Sequence, residues 1–209
     1  MTWYARMGGS HNLAAAFPTA ILEMAGMAAA IYVVQVLLLM RSEEVEGHLE
    51  FVLSAAVSRP RWLLSQLLSA CLGALVLVLA FSLSMGLAAG LAVGDVPGQI
   101  GTLTSAGLVQ IPAVLVIASL VVIATGLLPR WAGTASWLML VVSILFGPLF
   151  SATLGLPRWV QNLSAFTHVP KVPAVQVTAA PMITLVAISL VICVAGGIAF
   201  RNRNLALPA

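Results

Sequence analysis

Residues 108–128 read LVQIPAVLVIASLVVIATGLL, and none of them carries a charged side chain. A helix needs about 20 apolar residues to cross the roughly 30 Å hydrocarbon layer of a bilayer. This stretch is long enough for one crossing. It is also continuous, without the alternation of polar and apolar residues that a membrane barrel strand requires. The stretch therefore predicts a transmembrane α-helix.

The composition of the whole chain agrees with this prediction. Hydrophobic residues make up 61% of the 209 residues, and charged residues only 7%. An average soluble domain has roughly 25% charged residues, so a soluble fold could not cover its surface with so few. Lipid must surround much of the chain. The net charge of +3 then concerns orientation in the bilayer, and we expect no nucleic-acid partner.

Four further stretches are long and apolar enough to cross the membrane. The fold class predicted is all-α, a helical integral membrane protein with about five transmembrane helices. Residues 1–209 form a single membrane domain, which begins with an external N-terminal segment, residues 1–19. The predicted spans are Ala20–Met40, Trp62–Gly86, Leu108–Leu128, Ala135–Thr153 and Met182–Phe200. Residues 87–107, which are rich in glycine, are predicted to form an external loop.

The basic residues predict the orientation. Cytoplasmic loops of membrane proteins carry an excess of Lys and Arg. With the N-terminus outside, six basic residues face the cytoplasm and three face outward; the reverse orientation violates the rule. The inward set is Arg41, Arg59, Arg61, Arg130, Arg201 and Arg203. We therefore expect a multi-pass protein of the cell membrane with its C-terminus in the cytoplasm.

Charge is concentrated between the first two spans. Residues 40–62, MRSEEVEGHLEFVLSAAVSRPRW, hold four of the six acidic residues of the chain. Ser42 is a candidate N-cap, and the two glutamates that follow it suit the positive end of a helix dipole. Apolar residues then recur at helical spacing, and Pro60 stops the pattern. An amphipathic helix over about residues 42–58 is predicted on the cytoplasmic surface.

Two interpretations of this helix remain open. A run of charge is commonly a solvated elbow at the lipid headgroups. Helices that bind membrane surfaces, however, favour Lys and Arg, because inner leaflets are commonly anionic. Four glutamates would be repelled there, which favours docking to a protein partner with a basic or polar groove.

The charged stretch also carries a family resemblance. Residues 41–66, RSEEVEGHLEFVLSAAVSRPRWLLSQ, resemble the cytoplasmic coupling segment of bacterial ABC exporter permeases. Further similarity lies in GLLPRWAGTASW at 126–137, in LGLPRWVQNLSAFTHVPKVP at 154–173, and in the basic tail after the last span. In this order, these segments resemble permeases of the polyketide antibiotic and multidrug export type. The resemblance covers residues 20–203.

The resemblance implies partners and a docking site. In such permeases the coupling helix sits in a groove of a separate ATPase subunit and passes on its motion. It implies an ABC ATPase subunit and a second permease half, identical or different, as partners within the lipid of a bacterial cell membrane. The docking residues that it implies are Arg41, Glu43, Glu44, Glu46, Gly47, Glu50, Arg59 and Arg61.

One departure from the family pattern concerns the number of spans. A half-transporter of this type normally has six, and members commonly carry two halves in one longer chain. This chain resembles the C-terminal half without its first span. The expectations are that it pairs with a separately encoded half or that it is a truncated remnant.

No phosphate-binding loop is present in the sequence. That loop requires G-x-x-x-x-G-K-[ST], and the single lysine of the chain, Lys171, lies in VPKVP. The three histidines lack the spacing of metal ligands. We expect a transport subunit that is not an enzyme and holds no cofactor of its own, while ATP and Mg are bound by the ATPase subunit.

Three residues inside the spans are candidates for translocation or gating. Glu23 is the one charge within a span, and an acid in lipid is a functional hypothesis by default. Its alternative is a hydrogen bond between helices or at the interface. Gly147 and Pro148 predict a kink in the fourth span, either a gate hinge or a packing kink.

Two ridges of small residues are expected to be packing surfaces, namely Ser82, Gly86 and Gly90, and Gly147, Ser151 and Gly155.

The function predicted from the sequence is that of an ABC exporter permease subunit moving a hydrophobic or amphipathic compound outward. The alternative is a scaffold or regulatory half-subunit that does not itself transport. A secondary carrier is a third hypothesis, but such carriers usually need buried ionisable residues or broken helices near the midplane.

Overall fold

The computed structural model describes residues 13–45, 59–172 and 179–201. These residues form α-helices and one 3₁₀ turn, and no strand occurs among them. The prediction of an all-α membrane protein is confirmed. The helices are α1 (Leu13–Val45), α2 (Arg59–Val93), α3 (Val96–Leu108), α4 (Ile111–Leu127), α5 (Ala132–Leu145), α6 (Pro148–Leu154), α7 (Arg158–Gln161) and α8 (Ala179–Arg201), with the 3₁₀ turn at Ala165–His168.

Helices α1 and α2 are both longer than a bilayer is thick. They contain 33 and 35 residues, which corresponds to about 50 Å at 1.5 Å per residue. They pack against each other, and the ring of Tyr32 lies directly over Gly73, where any larger residue would collide with it. This contact sets the register of the two helices.

The predicted external loop at residues 87–107 is wrong. Helix α2 continues to Val93, and α3 folds back along it after a tight turn. Gly94 supplies a positive φ of 83°, and the Gly98 amide donates to the Asp95 carboxylate at 3.1 Å, which caps α3. The glycines that suggested a loop are contact points: a Cβ on Gly90 would stand 2.5 Å from the Val96 Cα, and one on Gly86 would stand 2.8 Å from the Ile100 Cα.

This hairpin confirms the first of the two small-residue ridges. A Cβ on Gly107 of α3 would meet the Ser82 Cβ at 2.8 Å, so Ser82 lines the same contact as the two glycines that follow it on α2. The second ridge is not a packing surface of that kind. Gly155 has a φ of 62° and ends α6 as its C-cap, while Gly147 stands at the break before α6.

Helices α3 and α4 form one interrupted crossing. Together Val96–Leu127 are apolar and long enough to span a membrane. The helix breaks at Val109 and Gln110 because Pro112 has no amide hydrogen and its ring excludes the carbonyl four residues earlier. Helix α4 is the centre of the bundle: it contacts α1, α2, α5 and α8, and most of its residues are buried.

The fourth predicted span is also interrupted. Residues 135–153 were expected to form one kinked helix, but α5 ends at Leu145 and α6 begins at Pro148. Gly147 between them is extended, with φ −65° and ψ 167°. Helix α5 alone is 14 residues, or about 21 Å, which is shorter than the hydrocarbon layer. The predicted effect of Gly147 and Pro148 on the backbone is thus confirmed and larger than a kink.

Helix α8 packs along α4. A Cβ on Gly196 would stand 2.8 Å from the Ile123 backbone nitrogen, and one on Gly126 would stand 2.7 Å from the Gly196 carbonyl oxygen. The two backbones therefore touch at the C-terminal ends of both helices. Measured back at 1.5 Å per residue from the Gly196–Ile123 contact, α8 begins about 7 Å beyond the start of α4.

Four segments in the described ranges are long and apolar enough to cross a membrane: Phe17–Leu39, Arg61–Val93, Val96–Leu127 and Ala179–Arg201, with the shorter apolar helix Ala132–Leu145 beside them. Helix α8, at 23 residues or about 34 Å, matches the hydrocarbon thickness. A bilayer fitted to α8 leaves the hairpin of α2 and α3 projecting about 20 Å beyond it at one end.

The start of the predicted amphipathic helix differs from the structure. Ser42 was expected to cap a new helix, but α1 runs without a break through Ser42 to Val45. Consecutive i to i−4 backbone bonds leave no orphan amide at Ser42 for a cap to satisfy. Residues 46–58 lie outside the described residues, so the rest of that predicted helix stays a prediction.

Candidate functional site

The predicted docking residues lie at one end of the bundle. Arg41, Glu43 and Glu44 are in the last turns of α1, and Arg59 and Arg61 are in the first turn of α2, where Arg61 is exposed. Because α1 and α2 are antiparallel neighbours, these two groups of charges lie at the same end. Glu46, Gly47 and Glu50 belong to residues 46–58 and are outside the described part of the chain.

Two more basic residues mark this end. Arg130 is exposed in the turn between α4 and α5, and Arg201 is exposed at the end of α8. The contact of Gly126 with Gly196 places the ends of α4 and α8 together. The only described acid in a turn, Asp95, lies at the opposite end of α2. The described part of the bundle therefore has a basic end, which also receives the termini of the glutamate-rich segment.

A second group of polar residues lies inside the bundle, between α1 and the break of α3 and α4. Glu23 is 6% exposed and Gln110 is 4% exposed. Gly26 lies one turn after Glu23 on the same face of α1, and its Cα faces Gln110 so closely that an added Cβ would stand 2.9 Å from the Gln110 Oε1. Glu23 and Gln110 thus face one seam, which we call the polar seam (Glu23, Gly26 and Gln110).

The oxygens of the polar seam lack partners. The Glu23 Oε2 and the Gln110 Oε1 are both buried, and neither has a hydrogen-bond donor among the described residues. An unsatisfied buried polar group commonly costs about 1–3 kcal/mol. Burial of a carboxylate costs more unless it is paired. Such a cost in a transmembrane bundle is typical of a functional position.

Lys171 is the described cation that acts on this seam. It follows the 3₁₀ turn, and its positive charge interacts with the Glu23 carboxyl. The segment before it folds back into the bundle, since Ala165, Phe166, Val169 and Val172 are buried in the main hydrophobic core. Residues 156–172 therefore pack onto one end of the bundle, and we call this segment the plug.

The break at Gly147 and Pro148 is tied to this plug. The Ser164 hydroxyl donates to the Ser143 carbonyl at 2.6 Å, and both residues are buried. Ser143 lies in the last turn of α5, where the break frees backbone carbonyls that a continuous helix would use. A Cβ on Gly147 would stand 3.1 Å from the carbonyl oxygens of Ser143 and Ile144. Gly147 therefore lies beside the plug. Neither Gly147 nor Pro148 belongs to the polar seam.

Comparison with known proteins gives a family. Residues 1–201 match the family described as the C-terminal domain of the multidrug efflux system permease Rv1217c. The chain belongs to this family. The multidrug efflux system permease protein Rv1217c of Mycobacterium tuberculosis is 38% identical over 199 residues, which covers 95% of this chain and 36% of that protein. The predicted resemblance to the C-terminal part of a multidrug exporter permease is confirmed.

The chain spans about a third of the length of this efflux permease relative. The matched part includes every described helix and the whole glutamate-rich segment, since the family match ends at residue 201. The chain is therefore a multi-pass membrane protein of the multidrug efflux permease type. The matched part also contains the polar seam and the plug.

Sequence reasoning missed Gln110 and Lys171 as neighbours of Glu23. A signal for Gln110 was present: it is the only amide side chain in the apolar run 108–128, and Pro112 follows two residues later. Proline in a span marks a break, and a polar residue at a break is a candidate binding residue. Lys171 had no local signal, because only the backward fold of the plug brings it to Glu23.

Proposed function

We propose that this chain is the C-terminal membrane part of an ABC exporter permease, which moves a hydrophobic or amphipathic compound outward. The energy comes from ATP, held with Mg by a separate ATPase subunit. The observation that carries the proposal is the match of residues 1–201 to a multidrug efflux permease domain. Most of the described charged residues of the bundle lie at one end.

The basic end of the bundle is the proposed docking surface. It combines the ends of α1 and α2 with residues 46–58, and it faces the cytoplasm under the positive-inside rule. Long helices that run without a break from this end into the membrane are suited to transmit motion. In this proposal, movement of the docked ATPase shifts α1 and α2 against α4. Arg41, Glu43, Glu44, Glu46, Gly47, Glu50, Arg59 and Arg61 form the contact.

Charge reversal tests the docking surface. With Glu46→Lys and Glu50→Lys together, we expect co-purification with the proposed ATPase subunit to fall at least about tenfold, or roughly 1.4 kcal/mol. Losing a partner of an interfacial charge pair commonly costs about 2–5 kcal/mol when the other charge stays buried. Outward transport should fall in parallel.

The control removes a charge at the other end of the bundle. Asp95→Asn leaves a side-chain oxygen for the Gly98 amide but removes the charge of the hairpin turn. This variant should bind the ATPase as the unmodified chain does. Wild-type ATPase binding by the double lysine variant would refute the docking surface. ATPase binding without any transport would favour the scaffold function instead.

A further inference from the structure

The polar seam has a chemistry that nothing else in the described bundle shares. Five buried side-chain oxygens lack a hydrogen-bond partner in the described ranges, and two of them, the Glu23 Oε2 and the Gln110 Oε1, face this seam. The other three are hydroxyl oxygens, of Thr104, Ser136 and Thr167. A hydroxyl can rotate and donate to a nearby carbonyl. A carboxylate oxygen and an amide oxygen can only accept.

Two buried acceptors without donors require a ligand that donates. An anion or an ether would be repelled, and an uncharged apolar compound would leave both oxygens unsatisfied. A protonated amine supplies up to three N–H donors and a positive charge. A charge-assisted bond to a carboxylate is also roughly twice as strong as a neutral hydrogen bond.

The position of the seam limits the rest of the ligand. Gln110 lies where the crossing of α3 and α4 breaks, about 6 Å inside the start of α8 and thus within the hydrocarbon layer, closer to its edge than to its middle. Most of the buried residues of α1 and α4 are apolar, among them Leu22, Val114 and Ile117. A ligand at this depth must be lipophilic apart from its charged nitrogen.

We propose that Glu23 and Gln110 bind the protonated nitrogen of a lipophilic amine, so that the compounds handled by this permease are cationic amphiphiles. The role of this site as a substrate site rests on the proposed export function, although binding of an amine does not itself require the ATPase. Glu23 supplies the charge and one acceptor, Gln110 supplies the second acceptor, and Gly26 lets α1 approach Gln110 closely.

Lys171 is a built-in competitor for Glu23 in this proposal. Its charge already acts on the Glu23 carboxyl, yet the Oε2 has no donor. When no amine is bound, the positive charge of Lys171 lowers the free-energy cost of burying the Glu23 carboxylate. The interaction of Lys171 with Glu23 must be lost when an amine enters. Removal of the lysine should therefore strengthen amine binding, whereas removal of the glutamate should abolish it.

The test measures binding of tritiated nortriptyline, a lipophilic secondary amine that is protonated at neutral pH, to the chain in lipid nanodiscs. Empty nanodiscs provide the partition background. We expect saturable binding that falls at least tenfold in Glu23→Gln and in Gln110→Leu. In Lys171→Gln we expect about threefold tighter binding, because a positive charge that competes with the amine for Glu23 is removed. The uncharged N-acetyl derivative should not compete.

Glu23→Asp is the control that distinguishes loss of the carboxylate from a disturbance of the fold. This variant keeps the carboxylate, so it should retain part of the binding, while the neutral Glu23→Gln does not. Equal binding by the unmodified chain and Glu23→Gln, or equal competition by the N-acetyl derivative, would overturn the inference. So would a Lys171→Gln variant that binds less. These outcomes would leave ATPase docking and export untouched, whereas lost docking would leave amine binding intact.

Discussion

Helix α4 makes two seams that differ in what lies between the backbones. At its C-terminal end, Gly126 and Gly196 bring α4 and α8 into direct backbone contact, with no side chain between them. At its N-terminal end, α1 approaches the break before α4 through Gly26, and the Gln110 side chain fills the gap. We call the first the glycine seam (Gly126 and Gly196). Both seams use a glycine, but one is closed and the other holds a polar group.

The difference shows that glycine serves two purposes in this bundle: it closes one helix contact and makes room for a polar side chain in the other. In lipid no hydrophobic effect drives helices together, so close van der Waals contact between small residues supplies the attraction. The glycine seam is of that kind and leaves no room for a ligand. The polar seam leaves two oxygens unsatisfied, which weakens packing. Such a feature favours the proposed binding function over a purely structural one.

The largest effect is expected from a methyl group added to the glycine seam. Gly196→Ala would place a Cβ 2.8 Å from the Ile123 nitrogen and 2.9 Å from its Cα. Backbone atoms cannot swing aside, so α4 and α8 must separate. We expect a loss of about 1–3 kcal/mol in the free energy of unfolding, the usual cost of overpacking, measured by thermal unfolding in lipid nanodiscs.

The next residue provides the matched control. An added Cβ at Gly197 would meet nothing within 4 Å, and alanine favours a helix over glycine by about 0.5–1 kcal/mol. Gly197→Ala should be as stable as the unmodified chain or more so. Equal destabilisation by both substitutions would show that α4 and α8 do not touch through Gly196.

A substitution at the polar seam is expected to have a smaller effect on stability than one at the glycine seam, and it should also weaken amine binding. Gly26→Ala would place a Cβ 2.9 Å from the Gln110 Oε1 and 3.0 Å from its Cβ. A side chain can shift where a backbone cannot, so unfolding should change by less than about 1 kcal/mol. Nortriptyline binding should fall about fivefold, or roughly 1 kcal/mol. Gly101→Ala, where a Cβ would meet nothing within 4 Å, should change neither quantity.

The last effect is expected to stay local, at the hairpin turn, which belongs to neither seam. Asp95→Ala removes the acceptor of the Gly98 amide, and loss of an N-cap costs typically about 1 kcal/mol. Hydrogen exchange of the first turn of α3 should speed up, while Asp95→Asn should keep most of the protection. A change in nortriptyline binding would contradict the separation of the hairpin from the polar seam.

The sequence predicted the crossings better than the connections between them. Long apolar runs identify spans because the bilayer fixes their length. Residues 87–107 were predicted to be a loop because glycine usually marks turns. Here Gly86 and Gly90 let α3 lie against α2, and that tertiary contact decides the conformation. The end of α1 was misplaced for a similar reason, because Ser42 is as acceptable inside a long helix as at its start.

The site was predictable in part. A lone acid in an apolar run pointed to Glu23, because charge in lipid is costly. That Glu23 and Gln110 face the same seam depends on the packing of α1 at Gly26 against Gln110, which no local pattern reveals. The docking residues on α1 and α2 lie together as the family resemblance implies, but their contact with an ATPase remains a prediction.

Orientation tests the central claim most directly, because an ATPase can dock only on the cytoplasmic side. In a background with Cys71→Ala and Cys193→Ala, single cysteines are placed at Gly101 on α3 and at Thr134 near the basic end, both exposed. Intact cells are then treated with a membrane-impermeant maleimide. We expect labelling of the cysteine at 101 in intact cells, and of the cysteine at 134 only after the membrane is opened. Labelling at 134 from outside would place the docking surface away from ATP and contradict the account.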